Sequence, residues 1–249
     1  MKVISIVIAT YNAGKTLNRC IDSIITQKTD EIELLIIDGK SSDDTIKIVE
    51  SYGEKVDYLI SEKDKGIYDA WNKAIKVAQG KWIMFLGADD MLLDNCINDY
   101  LSFLENGNHN LCDIISAKCL YCDENGKIIN KNPNFKYDFD VFKYYMNISH
   151  GSTLHNKNLF KELGLFDISY KCSADYDFLM RRRLKSEFID KYMIVMQMGG
   201  TSFSLRGVKE TFNIKRKYKY CSFMTDLYYS FKDILSIIYN SFLLKLCKF

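Results

Sequence analysis

Short apolar runs alternate with amphipathic stretches along the first half of the chain. Val3 to Ala9 and Ile32 to Ile37 are β-branched with few polar interruptions, the pattern of strands buried on both faces of a parallel sheet. Val56 to Ile60 and Trp82 to Leu86 repeat it. Between them, Lys15 to Gln27 predicts a helix, and Asp43-Asp44-Thr45 opens a second with an N-cap and acids in its first turn. In a third, Ile67, Trp71, Ala74, Ile75 and Ala78 recur at helical spacing, with Asp69, Asn72, Lys73, Lys76 and Gln79 on the other face. Asp64 can cap its start and Gly80 can end it. This alternation of strand and helix predicts an α/β fold, a mostly parallel sheet with helices on both faces.

The second half is less regular. Met91 to Leu104 reads as a helix, Asp113 to Tyr121 as a strand, and Asp123 to Lys127 as a hairpin turn before Ile128-Ile129. Asn130 to Tyr145 has few periodic cues. A helical run follows from Phe178 to Leu184 and a strand from Tyr192 to Met198. Gly199-Gly200-Thr201-Ser202 then makes a turn that lets backbone N–H groups approach a ligand, or simply turns a tight corner. From about Arg206 the character changes. Lys209, Lys215, Arg216, Lys217 and Lys219 interleave with Tyr218, Tyr220 and Phe223, and Leu227, Tyr228, Phe231, Ile234, Leu235, Ile238, Phe242 and Leu246 continue at helical spacing. A basic, aromatic amphipathic helix suits an anionic membrane surface; packing onto the domain or a dimer contact is the alternative.

Polar residues collect where the strands stop: Thr10-Tyr11-Asn12, Asp38, Glu62 to Asp64, and Asp89-Asp90. In open α/β sheets ligands bind outside the carboxyl ends of strands, so one edge gathers the candidate chemistry. A nucleotide would use an aromatic ring for stacking, an acid for a base N–H, and a metal for its phosphates. Asp89 and Asp90 repel each other, and a hard divalent cation with oxygen ligands relieves that. A helix cap would use one of the two carboxylates and leave the pair unexplained. Asp38 and Asp43 can also cap the second helix, and Asp64 can be both cap and donor contact. His150, ahead of Gly151-Ser152-Thr153, is open between a metal or phosphate contact and an ordinary hydrogen-bonded ring.

At 249 residues, 47% of them hydrophobic, the chain can form one large α/β domain or two small ones. A formal net charge of +2 gives no case for nucleic acid. The apolar start MKVISIVIATYN is too short for a signal peptide, and no apolar run is long enough to span a bilayer, so a cytoplasmic protein with reduced cysteines is expected. Cys119 and Cys122 form the one CxxC, with no second pair to complete a zinc site.

TYNAGKTLNRCIDSI, IDGKSSDDT, DKGIYDAWNKAI and LGADD, in this order and spacing, resemble the family 2 glycosyltransferases of the GT-A fold. The likeness is dense over about the first 100 residues and thins toward residue 205. It implies that residues 1–205 form the transferase, with 1–110 holding the donor and 111–205 the acceptor, and 206–249 as a helical tail. By the same resemblance Thr10, Tyr11, Asn12 and Asp38 would line the base and ribose pocket of a nucleotide-sugar, with Asp64 a further donor contact. Asp89 would face the ribose or sugar, and Asp90 would hold Mn²⁺ or Mg²⁺ against the diphosphate, with His150 a second candidate ligand. The chain departs from the family at Gly39 and Gly87, where acids are common, and at Lys40, where glycine is usual.

Asp175, in Ser173-Ala174-Asp175-Tyr176-Asp177, matches the family's general base, with an N-cap as its plain alternative. Arg181, Arg182 and Arg183 read as a solvated helix face, one of which could meet a phosphate. The activity implied is inverting transfer of a hexosyl or N-acetylhexosaminyl group, UDP being the default nucleotide. The acceptor would be a lipid-linked saccharide of a bacterial surface polysaccharide, at the inner face of the plasma membrane. A nucleotidyltransferase is the rival enzyme, although its Gly-rich basic loop is reduced here to Gly14-Lys15; a non-catalytic nucleotide-binding protein is the other alternative.

Overall fold

Four parallel strands form where the apolar runs predict them: β1 (Ile4–Thr10), β2 (Ile32–Asp38), β3 (Tyr58–Ser61) and β4 (Trp82–Gly87). The computed structural model describes residues 1–107, 109, 111–123, 126–131, 136–199 and 204–246, and only the backbone at 130–131 and 239–246. In the sheet the order is β3-β2-β1-β4. Thr10 pairs with Asp38, Asp38 with Ser61, and Ala9 with Gly87, so these strands end on one common edge. Ile4, Ile6 and Ile8 pack on one side with α1 (Leu17–Ile25), while Val7 packs on the other with α3 (Ile67–Val77). The change of face beside β1 opens the crevice in which α/β folds bind ligands.

Local chemistry differs from the reading in instructive ways. Gly80 is not a helix end: α3 stops at Val77, and a Cβ on Gly80 would lie 2.6 Å from Ser5 N. The glycine is there because β1 passes too close for a side chain. Asn72, expected on the polar face, is buried and pins Phe166 through both amide atoms, at 2.9 and 3.0 Å. Asp43 accepts from the Thr45 N–H at the start of α2 (Thr45–Ser51), and from the Gly14 N–H across the crevice.

Beyond β4 the sheet turns mixed. The predicted helix from Met91 begins instead as a short strand, β5 (Met91–Leu92), with the helix α4 confined to Cys96–Glu105. Pairing of Met91 and Leu92 with Val195 and Ile194 overrides their helical spacing. Next come β6 (Ile114–Cys122), β7 (Ile128–Lys131), α5 (Phe139–Phe142), β8 (Thr153–Asn156), α6 (Lys157–Leu163), α7 (Ala174–Met180) and β9 (Ser186–Gln197). β8 joins β4 to β6 by antiparallel pairing on both sides, and β9 runs parallel to β6 before meeting β5. Cys119 and Cys122 are buried, unpaired thiols on β6. Of the expected Gly199 to Ser202 turn, residues 200–202 lie outside the described residues.

Of the three arginines after α7, Arg181 and Arg182 are partly buried in ion pairs rather than solvated, and Arg183 is exposed. Arg181 meets Asp177 at 3.0 Å, Arg182 grips both oxygens of Asp113 at 2.8 Å, and Arg183 reaches Asp140. The tail forms α8 (Leu205–Tyr218) and α9 (Phe223–Leu246). Part of its basic run is engaged: Lys215 is buried, Arg216 pairs with Asp226, and Lys217, itself half exposed, pairs with Asp177, while Lys209 and Lys219 stay exposed. Asp226 and Ser230 of α9 face inward, whereas Phe223, Met224, Leu227, Tyr228, Phe231, Leu235 and Ile238 face solvent. Its apolar stripe points outward. Among the described residues no helix is long and apolar enough to cross a membrane.

Asp177 is fully buried and receives Arg181, Lys217 and the Tyr218 hydroxyl, which fastens α8 to α7. Asp177→Ala leaves two cations without their partner and should cost about 2–4 kcal/mol, less than a wholly buried triad because Lys217 is half exposed. Urea unfolding checks this; a loss below about 0.5 kcal/mol would mean that the clamp is incidental.

Candidate active site

The common strand edge holds a cavity of about 620 Å³ lined by Ala9, Thr10, Tyr11, Gly39, Lys40, Lys63, Asp64, Gly66 and Ile67. The residues expected here divide into builders and facers. Thr10 is buried and gives its hydroxyl to Asp38 at 3.0 Å. Asn12 adopts a left-handed backbone, φ 51°, and its side chain accepts from the Ser42 N–H. Asp38 is wholly buried and accepts from Thr10, twice from Ser41, and from Ser61. Burial alone would raise its pKa, but these donors outweigh it and hold the carboxyl below its ordinary value. Tyr11, in contrast, is 70% exposed and free to stack, and Asp64 lines the cavity. Lys40 sits at φ 66°, a conformation that glycine adopts without cost, which accounts for glycine's usual place there.

Beside this cavity, β4 ends under the acidic pair. A Cβ built on Gly87 would lie 2.7 Å from Asp90 Oδ2 and 2.9 Å from Asp89 Oδ1, so both carboxylates converge over that glycine. Asp90 is buried; its Oδ1 accepts from the Gln197 N–H at 3.0 Å and its Oδ2 from the Gly87 N–H at 3.2 Å. Burial first, and then the Asp89 charge, push its pKa up to about 7 against the pull of those two donors and Arg19. Sequence reasoning missed Arg19, whose guanidinium donates to the Asp89 carbonyl at 2.8 Å and to Gln197 Oε1 at 2.6 Å. Two hard, converging oxygen donors suit a divalent cation, whose charge would favour the ionised form of Asp90. Among the described residues no three His, Cys, Asp or Glu side chains gather to hold an ion alone, so ligand oxygens would have to complete its shell.

His150 lies in a different setting. Its ring stacks on Trp71, with centroids 5.0 Å apart, and sits 4.7 Å from the His155 ring. Burial drives its pKa down to about 3, so the ring is neutral, and its Nε2 has no partner. Gly151 brings the same segment close to the acidic pair: a Cβ there would lie 3.7 Å from Asp90 Oδ2.

Asp175 stands in the first turn of α7, one helical residue after the N-cap Ser173 and Ala174 rather than ahead of the helix. Tyr68, in the first turn of α3, donates its hydroxyl to Asp175 Oδ1 at 3.0 Å. That bond ties the carboxylate to the 63–67 loop that lines the cavity. Burial pushes the Asp175 pKa up to about 6, opposed by the Tyr176 N–H and the Tyr68 hydroxyl. A larger cavity of about 850 Å³ lies in the second half, with Tyr121, Tyr137, Tyr145 and Arg183 on its walls.

Comparison with known proteins gives a consistent picture. The family described as Glycosyl transferase family 2 matches residues 5–164. A PGL/p-HBAD biosynthesis glycosyltransferase of Mycobacterium bovis (strain BCG / Pasteur 1173P2) is 31% identical over 212 residues, covering 80% of this chain and 78% of that protein. An uncharacterized glycosyltransferase of Rickettsia prowazekii (strain Madrid E) is 31% identical over 203 residues, covering 78% of this chain and 63% of that one. Among solved structures, S. aureus TarS 1-349 in complex with UDP-GlcNAc superposes with a TM-score of 0.70 at 19% identity, covering 91% of this chain and 69% of that one. The mannosyltransferase PcManGT from Pyrobaculum calidifontis, in complex with GDP-Man and Mn²⁺, gives 0.67 at 13% identity, covering 96% and 74%. At these identities the structural likeness speaks for the GT-A fold.

A prediction follows from Asp90. The folded chain holds its proton up to about pH 7, whereas an unfolded Asp releases it near 3.8. Between those values the folded state carries the extra proton, so the stability Asp90 contributes falls as pH rises and is gone above about 7. Without metal, wild type should therefore lose about 2 kcal/mol relative to Asp90→Asn between pH 5 and pH 8. Thermal unfolding of both proteins in chelator reads this directly, and a pH-independent difference would contradict it.

Proposed function

The chain belongs to glycosyl transferase family 2, and on that premise we propose that it is an inverting, metal-dependent enzyme acting on a UDP-sugar. It moves a hexosyl or N-acetylhexosaminyl group to a hydroxyl of a lipid-linked saccharide, in the assembly of a cell-surface polysaccharide. The observation that carries the reading is the convergence of Asp89 and Asp90 over Gly87, at the same sheet edge as the cavity faced by Tyr11 and Asp64. Solved neighbours that hold UDP, UDP-GlcNAc or GDP-Man with Mn²⁺ support a nucleotide-sugar there. The mycobacterial relative's name, PGL/p-HBAD biosynthesis glycosyltransferase, supports a role in a biosynthetic transfer.

In this reading residues 1–110 bind the donor, 111–205 the acceptor, and 206–249 a surface. Tyr11 stacks on the base, and Thr10, Asn12 and Asp38 shape the wall behind it, while Asp64 contacts the donor. Asp89 faces the ribose or sugar. Asp90 would hold Mn²⁺ or Mg²⁺, which when bound would supply Lewis-acid stabilisation for the diphosphate leaving group. His150 stays the second candidate ligand: its ring, stacked on Trp71 and beside His155, is neutral and its Nε2 has no partner. Asp175 removes the proton from the acceptor hydroxyl as its oxygen bonds to the anomeric carbon; the bond from that carbon to the diphosphate breaks on the opposite face. Its raised pKa makes Asp175 a stronger base than an exposed aspartate while leaving it mostly ionised at neutral pH.

The outward stripe of α9, from Phe223 to Ile238, meets the lipid at the inner face of the plasma membrane. With Lys215 buried and Arg216 and Lys217 each paired to a carboxylate, apolar area supplies more of this contact than charge does.

Asp175→Asn should lower kcat by roughly 10²–10⁴ and leave nucleotide binding intact, as measured by sugar transfer from donor and by calorimetry. Equal loss of binding would remove Asp175 from the role of base. Activity should rise with pH through about 6, and Tyr68→Phe should move that limb to higher pH, because the lost hydroxyl favours the ionised carboxylate. For the tail, neutral phosphatidylcholine vesicles should co-sediment the protein, and Phe231→Asp with Leu235→Asp should weaken this at least several-fold. Binding confined to anionic vesicles would refute an apolar contact.

A further inference from the structure

We propose that Asp64, and not Asp38, is the carboxylate that reads the donor's nucleobase, and that it selects bases presenting a ring N–H over those presenting a ring lone pair. The proposal rests on the donor-site reading above and names the residue that gives that site its base preference.

Asp38 has no capacity left for a ligand. A carboxylate offers about four lone-pair sites. Thr10 Oγ1 at 3.0 Å and Ser41 Oγ take those of Oδ1; the Ser41 N–H at 2.9 Å and Ser61 Oγ at 2.6 Å take those of Oδ2. Its side chain has no exposed surface, and it is not on the cavity wall. Asp64 is on that wall and partly exposed. Among the described residues only the Gly66 N–H donates to it, at 2.9 Å to Oδ1. That single bond fixes the side chain and leaves Oδ2 as an open acceptor.

Gly39 explains why the carboxylate comes from this loop. A Cβ at position 39 would lie 2.7 Å from Asp64 Oδ2 and 3.2 Å from its Cγ. The Asp64 carboxylate thus fills the space that a side chain at 39 would enter, and the two arrangements exclude each other. Gly66, at φ 119°, turns the loop so that Asp64 can reach there. Ionised, the group only accepts hydrogen bonds. Uracil N3–H and guanine N1–H are donors; cytosine N3 and adenine N1 are acceptors and would face it lone pair to lone pair. A site built to hydrogen-bond rejects a ligand that leaves its group unpaired.

The test is calorimetric titration of UDP, GDP, CDP and ADP, each with Mn²⁺, into wild type, Asp64→Asn and Gly39→Ala. The amide introduced by Asp64→Asn keeps an oxygen for the Gly66 N–H, and Gly39 has an ordinary φ, so neither change threatens the fold. Wild type should bind UDP or GDP at least about tenfold tighter than CDP and ADP. Asp64→Asn, whose amide both donates and accepts, should erase most of that margin. Gly39→Ala should do the same by displacing the carboxylate without altering its chemistry. A margin that survives in both variants, or wild-type binding of all four nucleotides alike, overturns the assignment and leaves the donor site standing. Binding of none of the four by wild type overturns the donor site itself, and the assignment with it.

Discussion

Asp38 receives hydrogen bonds from the end of β1, from the segment after β2 and from the end of β3, through Thr10, Ser41 and Ser61. A wholly buried carboxylate is costly unless donors surround it, and here three stretches of chain must arrive together to supply them. The strand ends are therefore held at one level. The cavity lies beside this network and shares Thr10 with it. Around it the chain is left to do other things: Tyr11 projects outward, Lys40 takes a glycine-like backbone, and Asp64 swings in over Gly39.

On the adjacent strand the balance is reversed. Asp90 is buried with fewer donors and a like charge beside it, so its ionised form is disfavoured where that of Asp38 is favoured. Stability is given up at this point, as is common where a group must be ready for a partner. The second half of the chain nevertheless reaches across to steady it. Gln197, at the end of β9, donates its N–H to Asp90 and accepts from Arg19 on α1. Donor-side carboxylates are thus oriented by a strand from the half that would carry the acceptor. Tyr68 provides the reciprocal link, from the first turn of α3 to Asp175.

The parallel strands, the polar edge and the acidic pair were legible because they depend on local pattern: apolar period, turn chemistry, and two adjacent like charges. What escaped depends on partners far away in sequence. Arg182 meets Asp113 across 69 positions and Gln197 meets Asp90 across 107, and nothing near either residue announces it. The same holds for Lys217, whose charge meets Asp177 across 40 positions. Asp38 marks a subtler limit. Its type and place suited a ligand contact, but whether a carboxylate has spare acceptors depends on hydroxyls delivered by other strands. Met91 and Leu92 failed differently, since a real helical spacing lost to pairing with β9.

Gly87 has a consequence for how this sequence can change. The two carboxylates already stand 2.7 and 2.9 Å from where its Cβ would be. Any side chain at 87 would have to evict them. A side chain at 87 would therefore be felt first at the acidic pair, whose oxygens would have to give way, and the bare backbone of this glycine is what lets the two carboxylates share one point above the strand end.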